Sequence, residues 1–234
     1  MTGQDRISDL LRNISVFAGF EDEILQSIAS RCRTVSRAAG TAIVEAREET
    51  RDVYFLVSGR ARVLNYSSDG KAVILSDIEP GGFFGEMAAI DGRDRSAHVE
   101  TLEDCELLVL PEREFLLLLH DEPEITHTFL RHFVAEIRTM SQRLFEFRTL
   151  AVQNRIHAEL LRLCRLSDSS GNRVVLTPAP TLAEIADRIS THREAVSREI
   201  SRLTKSGLLQ RTGTGLVISD LQKLEAMVRE ATDS

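Results

Sequence analysis

Between residues 41 and 110 the apolar residues come in short runs: "TAIV", "DVYFLVSG", "RARVLNY", "KAVILSDI", "SAHVET" and "CELLVL". They are cut by "SGR", "SDGK", "EPGG" and "DGRD". Segments rich in Val, Ile, Leu and aromatics, bounded by such turn signals, predict about six short strands in an antiparallel roll or barrel. The first forty residues read as helical instead. "DRISDLLRN" and "EDEILQSIASRC" carry apolar residues at helical spacing, with Glu21 and Asp22 suited to a helix start.

After "PEREFLLLLHDEPE", neither Gly nor Pro occurs from Glu124 to about Leu166. Leu130, Ile137, Leu144 and Ala151 recur every seven residues, and Phe133, Met140 and Phe147 form a second series offset by three. Two interleaved heptad series make the seam of a coiled coil. A helix of roughly 27 residues would run about 40 Å, longer than a small domain covers alone. The pattern therefore predicts a long helix that pairs with a second copy; one lying across its own domain is the alternative.

Beyond the "SDSSGN" turn, "RVVLTPAP" reads as a strand and connector. "TLAEIADRIS", "HREAVSREISRLTKSG" and "LLQRTGTGLVISD" follow as helix, helix and hairpin, and "LQKLEAMVREA" as a last amphipathic helix. Thr181-Leu182-Ala183-Glu184 fits a capping box that starts the first of these helices. Its apolar face is Leu182, Ile185, Ala186 and Ile189; that of the second helix is Val196, Ile200 and Leu203. On the opposite face lie Arg193, Glu194, Ser197 and Arg198. Arg can donate two bonds to guanine and Glu can accept one from the cytosine amino group, so this face suits the DNA major groove. Thr191 to Glu194 also fit a capping box, which would make Glu194 structural. Glu194 and Arg198, one turn apart, are equally an ordinary surface pair.

The expected fold is α+β: an N-terminal β-roll with flanking helices (residues 1–122), a long dimerisation helix (123–153) and a C-terminal winged helix-turn-helix (154–234). The formal net charge of −7 argues against nucleic acid when taken as an average. Residues 181–211 depart from it. There Arg188, Arg193, Arg198, Arg202, Lys205 and Arg211 face Glu184, Asp187, Glu194 and Glu199, a local excess of two positive charges. Cys32, Cys105 and Cys164 are far apart and form no C-x-x-C, which points to reduced, buried thiols and no metal. No run approaches the roughly 18 apolar residues that span a bilayer, and no export signal opens the chain, so a cytoplasmic protein without a membrane partner is expected. No histidine pairs in sequence with a plausible Ser or Cys nucleophile, so an enzyme is not expected.

Glu86 and Arg95 stand nine residues apart around a turn, in "GGFFGEMAAIDGRDRSAHVE". Spacing alone fits either a solvated loop or a pocket for a small hydroxyl-bearing anion. The segment resembles the phosphate-binding cassette of cyclic-nucleotide-binding domains. "ISTHREAVSREISRLTKSGLL" resembles the recognition helix of the CRP/FNR family of bacterial transcription regulators. The order of roll, long helix and winged helix is similar to that family over essentially the whole chain.

The resemblance implies that Arg95 and the Ser96 hydroxyl bind a cyclic phosphate and that Glu86 accepts a hydrogen bond from the ribose 2′-hydroxyl. A guanidinium meeting a phosphate is a strong charge-assisted pair, and Gly85 permits close backbone approach. Phe84, Met87, Ala88 and Ala97 complete the cassette. On the long helix, Met140-Ser141 fall where cAMP-binding members carry Thr-Ser, with Thr139 beside them. Losing the Thr hydroxyl opens the site to cGMP as well as cAMP.

Arg193, Glu194 and Arg198 match the family's base-reading triplet, implying TGTGA-like half-sites in a palindrome read by a homodimer about 34 Å apart. Thr181 and His192 would fall near phosphates, and Thr191 and Ser197 belong to the same DNA-binding set. Ser190 stands where the family often has glycine. Nucleotide would act as an allosteric ligand with no cofactor, and RNA polymerase is an expected partner. A relative sensing oxygen or haem is disfavoured, because no cysteine cluster precedes the roll and His98 reads as a strand residue.

Overall fold

In the computed structural model, which describes residues 3–167 and 171–232, the roll consists of two four-stranded antiparallel sheets. Its strands are β1 (Arg33–Arg37), β2 (Ala42–Val44), β3 (Val53–Ser58), β4 (Ala61–Tyr66), β5 (Ala72–Ile78), β6 (Phe83–Phe84), β7 (His98–Thr101) and β8 (Cys105–Leu110). One sheet runs β1-β8-β3-β6 and the other β2-β7-β4-β5. Every apolar run singled out above contributes a strand. β1 corrects the expectation that the first forty residues are helical. It pairs antiparallel with β8, Arg33 opposite Val109 and Arg37 opposite Cys105.

Helices α1 (Gly3–Leu11) and α2 (Asp22–Ala29) precede the strands, and Glu21 is the residue before the first turn of α2, as its acidic start suggested. The short α3 (Glu86–Asp91) lies between β6 and β7, and α4 (Glu112–Asp121) follows β8. Phe17, Phe55, Phe115 and Phe129 are fully withdrawn from solvent in the core of this unit. The ring of Phe17 lies 5.0 Å from Phe55, and that of Phe115 lies 5.3 Å edge-on from Phe129. Edge and tilted geometries of this kind suit aromatic quadrupoles.

The long helix is α5 (Pro123–Thr149), 27 residues opening on a proline whose missing N–H costs nothing in the first turn. The chain divides into two compact units with the boundary inside it, between Glu136 and Ile137. Leu130, Ile137, Met140, Leu144 and Phe147 of the heptad seam are exposed on the single chain. Ala151 departs from the seam: α5 has ended, and Ala151 is the residue preceding α6 (Val152–Leu166). The helix ends at Thr149 without a glycine or proline, and the next residue, Leu150, is buried.

The second unit continues with β9 (Val174–Leu176), α7 (Leu182–Arg188), α8 (Arg193–Lys205), β10 (Leu209–Thr212), β11 (Gly215–Ile218) and α9 (Leu221–Thr232). Residues 168–170 of the "SDSSGN" turn, with 1–2 and 233–234, lie outside the described residues. β10 and β11 form a hairpin, and β9 adds a third antiparallel strand on β11. Ile185, Ile189, Val196, Ile200 and Leu203 share one core with Ile156, Leu160 and Leu216. The apolar faces read from helical spacing are thus the buried ones.

Candidate nucleotide site and DNA-reading surface

Arg95 is 4 % exposed, an unusual state for an arginine, and its backbone is tied to the loop before β3. Its N–H donates to the Glu48 carbonyl at 3.0 Å, and its own carbonyl accepts from Arg47 N at 2.9 Å. The guanidinium donates from Nε to Thr50 Oγ1 at 3.2 Å, from Nη1 to the Gly85 carbonyl at 2.8 Å and from Nη2 to the Asp52 carbonyl at 2.8 Å. It also lies 5.8 Å from the centre of the Tyr54 ring. A guanidinium carries five N–H donors, so these bonds leave one on each terminal nitrogen, enough for a two-pronged contact with an oxyanion. Burial lowers the Arg95 pKa, and nearby Tyr54, Glu48, Asp52 and Glu86 oppose that shift.

Gly85 precedes α3 with φ +90°, in the left-handed region that favours glycine. A Cβ there would lie 2.7 Å from Arg95 Nη1 and 2.7 Å from the Asp52 carbonyl oxygen. Glu86, the first residue of α3, is half-buried, and burial pushes its carboxyl above the usual range while the charge of Arg95 pulls it back. Two groups of opposite charge are therefore held in one partly dehydrated neighbourhood. Such a site can divide a ligand into an anionic and a hydroxyl-bearing part.

The remaining cassette residues take three different positions. Ser96 and Met87 are exposed and face one another, Oγ to Sδ at 3.8 Å. The Ser96 carbonyl accepts from Asn65 Nδ2 at 3.1 Å. Phe84, Ala88 and Ala97 are buried, and the Phe84 ring stacks on Tyr54 with centres 5.0 Å apart and planes 4° from parallel. Thr139, Met140 and Ser141 lie exposed on α5 in the second unit, where Ser141 Oγ donates back to the Ile137 carbonyl at 2.8 Å. His98 is a strand residue whose Nδ1 accepts from Ala46 N at 3.4 Å. Thr50, Asp52 and Tyr54, which hold Arg95, escaped sequence reasoning. Asp52 acts through its backbone carbonyl, which leaves no signal in the sequence.

In the second unit, Thr181 caps α7 as its spacing predicts. Its Oγ1 accepts from Glu184 N at 3.1 Å, and Glu184 Oε2 accepts from Thr181 N at 2.7 Å. The residue before α8 is His192, whose side chain makes no capping bond, and Glu194 is exposed. Thr191 is buried in the turn, its N–H donating to the Ala186 carbonyl at 3.0 Å. Ser190 has φ +51°, the backbone state that glycine adopts without strain. Arg193, Glu194 and Arg198 are exposed on the side of α8 away from Val196, Ile200 and Leu203, and Ser197 is half-buried.

Glu199, one of the four acidic residues in the local charge count, is turned inward. It is buried, at 2.5 Å from His157 Nε2, and accepts from Arg202 Nη2 at 2.6 Å. Burial alone would raise its pKa, but hydrogen bonds from Arg202 and His157, with their charges, hold it below the ordinary range. Glu199 therefore fastens α8 to α6 and takes no part in the outward reading face.

Burial pushes the Cys32 thiol up to about 12 and that of Cys164 to about 11, values unsuited to a thiolate nucleophile. Among the described residues, no group of three or more His, Cys, Asp or Glu is placed to hold a metal, and no helix is long and apolar enough to cross a membrane.

Residues 34–122 match the family description "Cyclic nucleotide-binding domain", and residues 154–227 match "Crp-like helix-turn-helix domain". The chain belongs to the CRP/FNR family, one of transcriptional regulators rather than enzymes. It is 22 % identical over 224 residues to a CRP-like cAMP-activated global transcriptional regulator of Mycobacterium tuberculosis, covering 95 % of this chain and 100 % of the relative. A crystal structure of a CRP/FNR-family regulator from Thermus thermophilus is similar at TM-score 0.68 and 28 % identity, covering 84 % of this chain and 98 % of that one. The c-di-GMP-responsive global regulator of Xanthomonas campestris shares the fold at TM-score 0.74 and 19 % identity, over 85 % of this chain and 99 % of the other.

Proposed function

We infer that this chain is a homodimeric transcription factor that binds cAMP, and cGMP as a second ligand, and then binds palindromic DNA with TGTGA-like half-sites. One observation carries the reading. The same polypeptide holds a buried Arg95 with two unspent donors beside Gly85 and Glu86, and an exposed Arg193–Glu194–Arg198 face on the second helix of a winged helix-turn-helix. Arg95 and Ser96 would hold the cyclic phosphate, and Glu86 would accept from the ribose 2′-hydroxyl. Met87 would flank the sugar, and Thr139, Met140 and Ser141 are the candidates for the base. Met140 offers no hydroxyl to discriminate adenine, which favours acceptance of guanine.

The exposed seam Leu130–Ile137–Leu144, with Met140 and Phe147, supports pairing of two α5 helices, since such an apolar stripe is costly in water. On DNA, Arg193, Glu194, Ser197 and Arg198 would meet base edges, with Thr181, Thr191 and His192 near phosphates. Ligand binding can favour the DNA-competent state only if nucleotide binds that state more tightly. Activation of transcription would follow through contact with RNA polymerase, and work on chromosomal DNA would place the protein in the cytoplasm.

A second reading keeps the fold and changes the signal, as the c-di-GMP-responsive neighbour does. Calorimetric titration with cAMP, cGMP and c-di-GMP separates the two. Saturable heat with cAMP and with cGMP, one molecule per chain, is expected; heat with c-di-GMP alone would replace this reading by the second.

A further inference from the structure

The inward face of α8 carries Val196, Ile200 and Leu203, and one carboxylate interrupts it: Glu199, 6 % exposed. Its two partners differ in what they can do. Arg202 donates from Nε to Oε2 at 2.9 Å and from Nη2 to Oε1 at 2.6 Å, but it stands one turn further along the same helix. That pair balances charge and has no hold on where α8 sits. His157 lies on α6, is 2 % exposed, and places Nε2 2.5 Å from Glu199 Oε1. Glu199, held below the ordinary carboxylate range, can only accept, which puts the hydrogen on Nε2. The other ring nitrogen, Nδ1, is buried with no hydrogen-bond partner among the described residues, so Nε2 is the polar anchor of the ring.

A buried pair of this kind adds little stability over a well-packed apolar contact, because desolvating two polar groups offsets the bond they make. What it adds is direction. Apolar contacts are non-directional, and a row of Val, Ile and Leu tolerates a small rotation of the helix that carries it. A hydrogen bond weakens steeply away from its preferred line and length. Successive residues of an α-helix stand about 100° apart, so fixing the azimuth of Glu199 fixes that of Arg198 beside it, and of Arg193 and Glu194 with it. At a side-chain radius of roughly 5–6 Å, a helix rotation of about 20° moves the reading face by about 2 Å. Hydrogen bonds to base edges, at roughly 2.7–3.2 Å, do not survive that displacement.

We propose that His157 is a positioning residue for DNA recognition: through its bond to Glu199 it sets the rotation of α8 on α6, and so which base edges Arg193, Glu194 and Arg198 reach. It touches no DNA itself. The inference rests on the reading of α8 as the DNA-reading helix. It is independent of which nucleotide binds the first unit and of which half-site sequence α8 prefers.

The test selects duplexes from a random library with the full chain, with and without cAMP, then measures affinity for the enriched motif and for a scrambled duplex at one salt concentration. Wild type should enrich one motif. His157→Gln, whose amide keeps a donor near the place of Nε2, should enrich the same one. The double variant His157→Leu, Glu199→Leu replaces the pair by apolar side chains, so its Tm should stay at or above that of wild type. Its preference for the motif over the scrambled duplex should nevertheless fall about tenfold or more, as when a bidentate base contact is lost. His157→Phe, which keeps a ring and leaves Glu199 its Arg202 partner, should show the same fall, and tests the point if the double variant does not fold. A purely structural role predicts instead that preference follows Tm and returns with it. A preference unchanged in the folded variants would overturn the proposal. A wild type that enriches a motif other than TGTGA would overturn the half-site assignment alone; one that enriches none would overturn the reading of α8, and this inference with it.

Discussion

The carbonyl of Gly85 accepts a hydrogen bond from Nη1 of Arg95 at 2.8 Å, and a Cβ on residue 85 would lie 2.7 Å from that same nitrogen. The start of α3 and the cation it presents are therefore one mechanical unit. At φ +90° an alanine would also be strained. Gly85→Ala is expected to destabilise the first unit by about 1–3 kcal/mol, as overpacking does, and to weaken cAMP binding by roughly tenfold or more. Thermal unfolding and cAMP calorimetry on the same preparation check both effects.

Glu86 should show the opposite trade between stability and binding. Burial raises its folded-state pKa above the unfolded value, with Arg95 opposing. A group raised in this way favours folding fully below its unfolded pKa, about 4.3 for Glu, and that contribution is lost as pH rises through the folded pKa. At neutral pH its half-buried carboxylate is thus a burden. Glu86→Gln should raise the Tm of the nucleotide-free protein at pH 7, with the gain shrinking toward pH 4, while weakening cAMP binding. An unchanged Tm at pH 7 would remove this account of Glu86.

Ser190 occupies the left-handed region at φ +51° in the turn between α7 and α8. A non-glycine residue held there costs on the order of 1 kcal/mol. Ser190→Gly should raise the stability of the second unit by about 0.5–1 kcal/mol, the glycine's greater unfolded-state freedom offsetting part of the relief. Urea unfolding gives the value; a loss of stability would mean that the serine side chain compensates its backbone.

How much of this was legible depended on whether the information was local. The six strand runs between Thr41 and Leu110 alternate or cluster apolar residues, and all form strands. β1, "RTVSR", carries little apolar signal because its residues are mostly exposed and its place is set by backbone pairing with β8. The capping box at Thr181 is a local four-residue pattern, Thr181 to Glu184, and was readable. The end of α5 at Thr149 was not, since no glycine or proline marks it; the next residue, Leu150, is buried. Glu86 and Arg95 stood out within one segment. Thr50 and Asp52, more than forty residues away in the chain, are joined to Arg95 only by the fold. The pairing of Glu199 with His157 leaves no local signal, because the two lie on different helices.

The α5 seam makes its own prediction. Ile137 and Leu144 are 61 % and 53 % exposed on the single chain, two turns apart on one stripe. A lysine at a paired apolar position would set like charges against each other across a desolvated contact. The double variant Ile137→Lys, Leu144→Lys should sediment as a monomer at concentrations where wild type sediments as a dimer. A wild type that is itself monomeric would contradict the pairing.

The most direct measurement is the affinity of the wild-type protein and of Arg95→Leu for a duplex with two TGTGA half-sites, with and without saturating cAMP at one fixed salt concentration. Coupling of ordinary strength predicts that cAMP tightens wild-type binding by roughly 5–150-fold and leaves Arg95→Leu unmoved. Equal affinity of the wild type with and without nucleotide, or a full response in Arg95→Leu, would contradict the account.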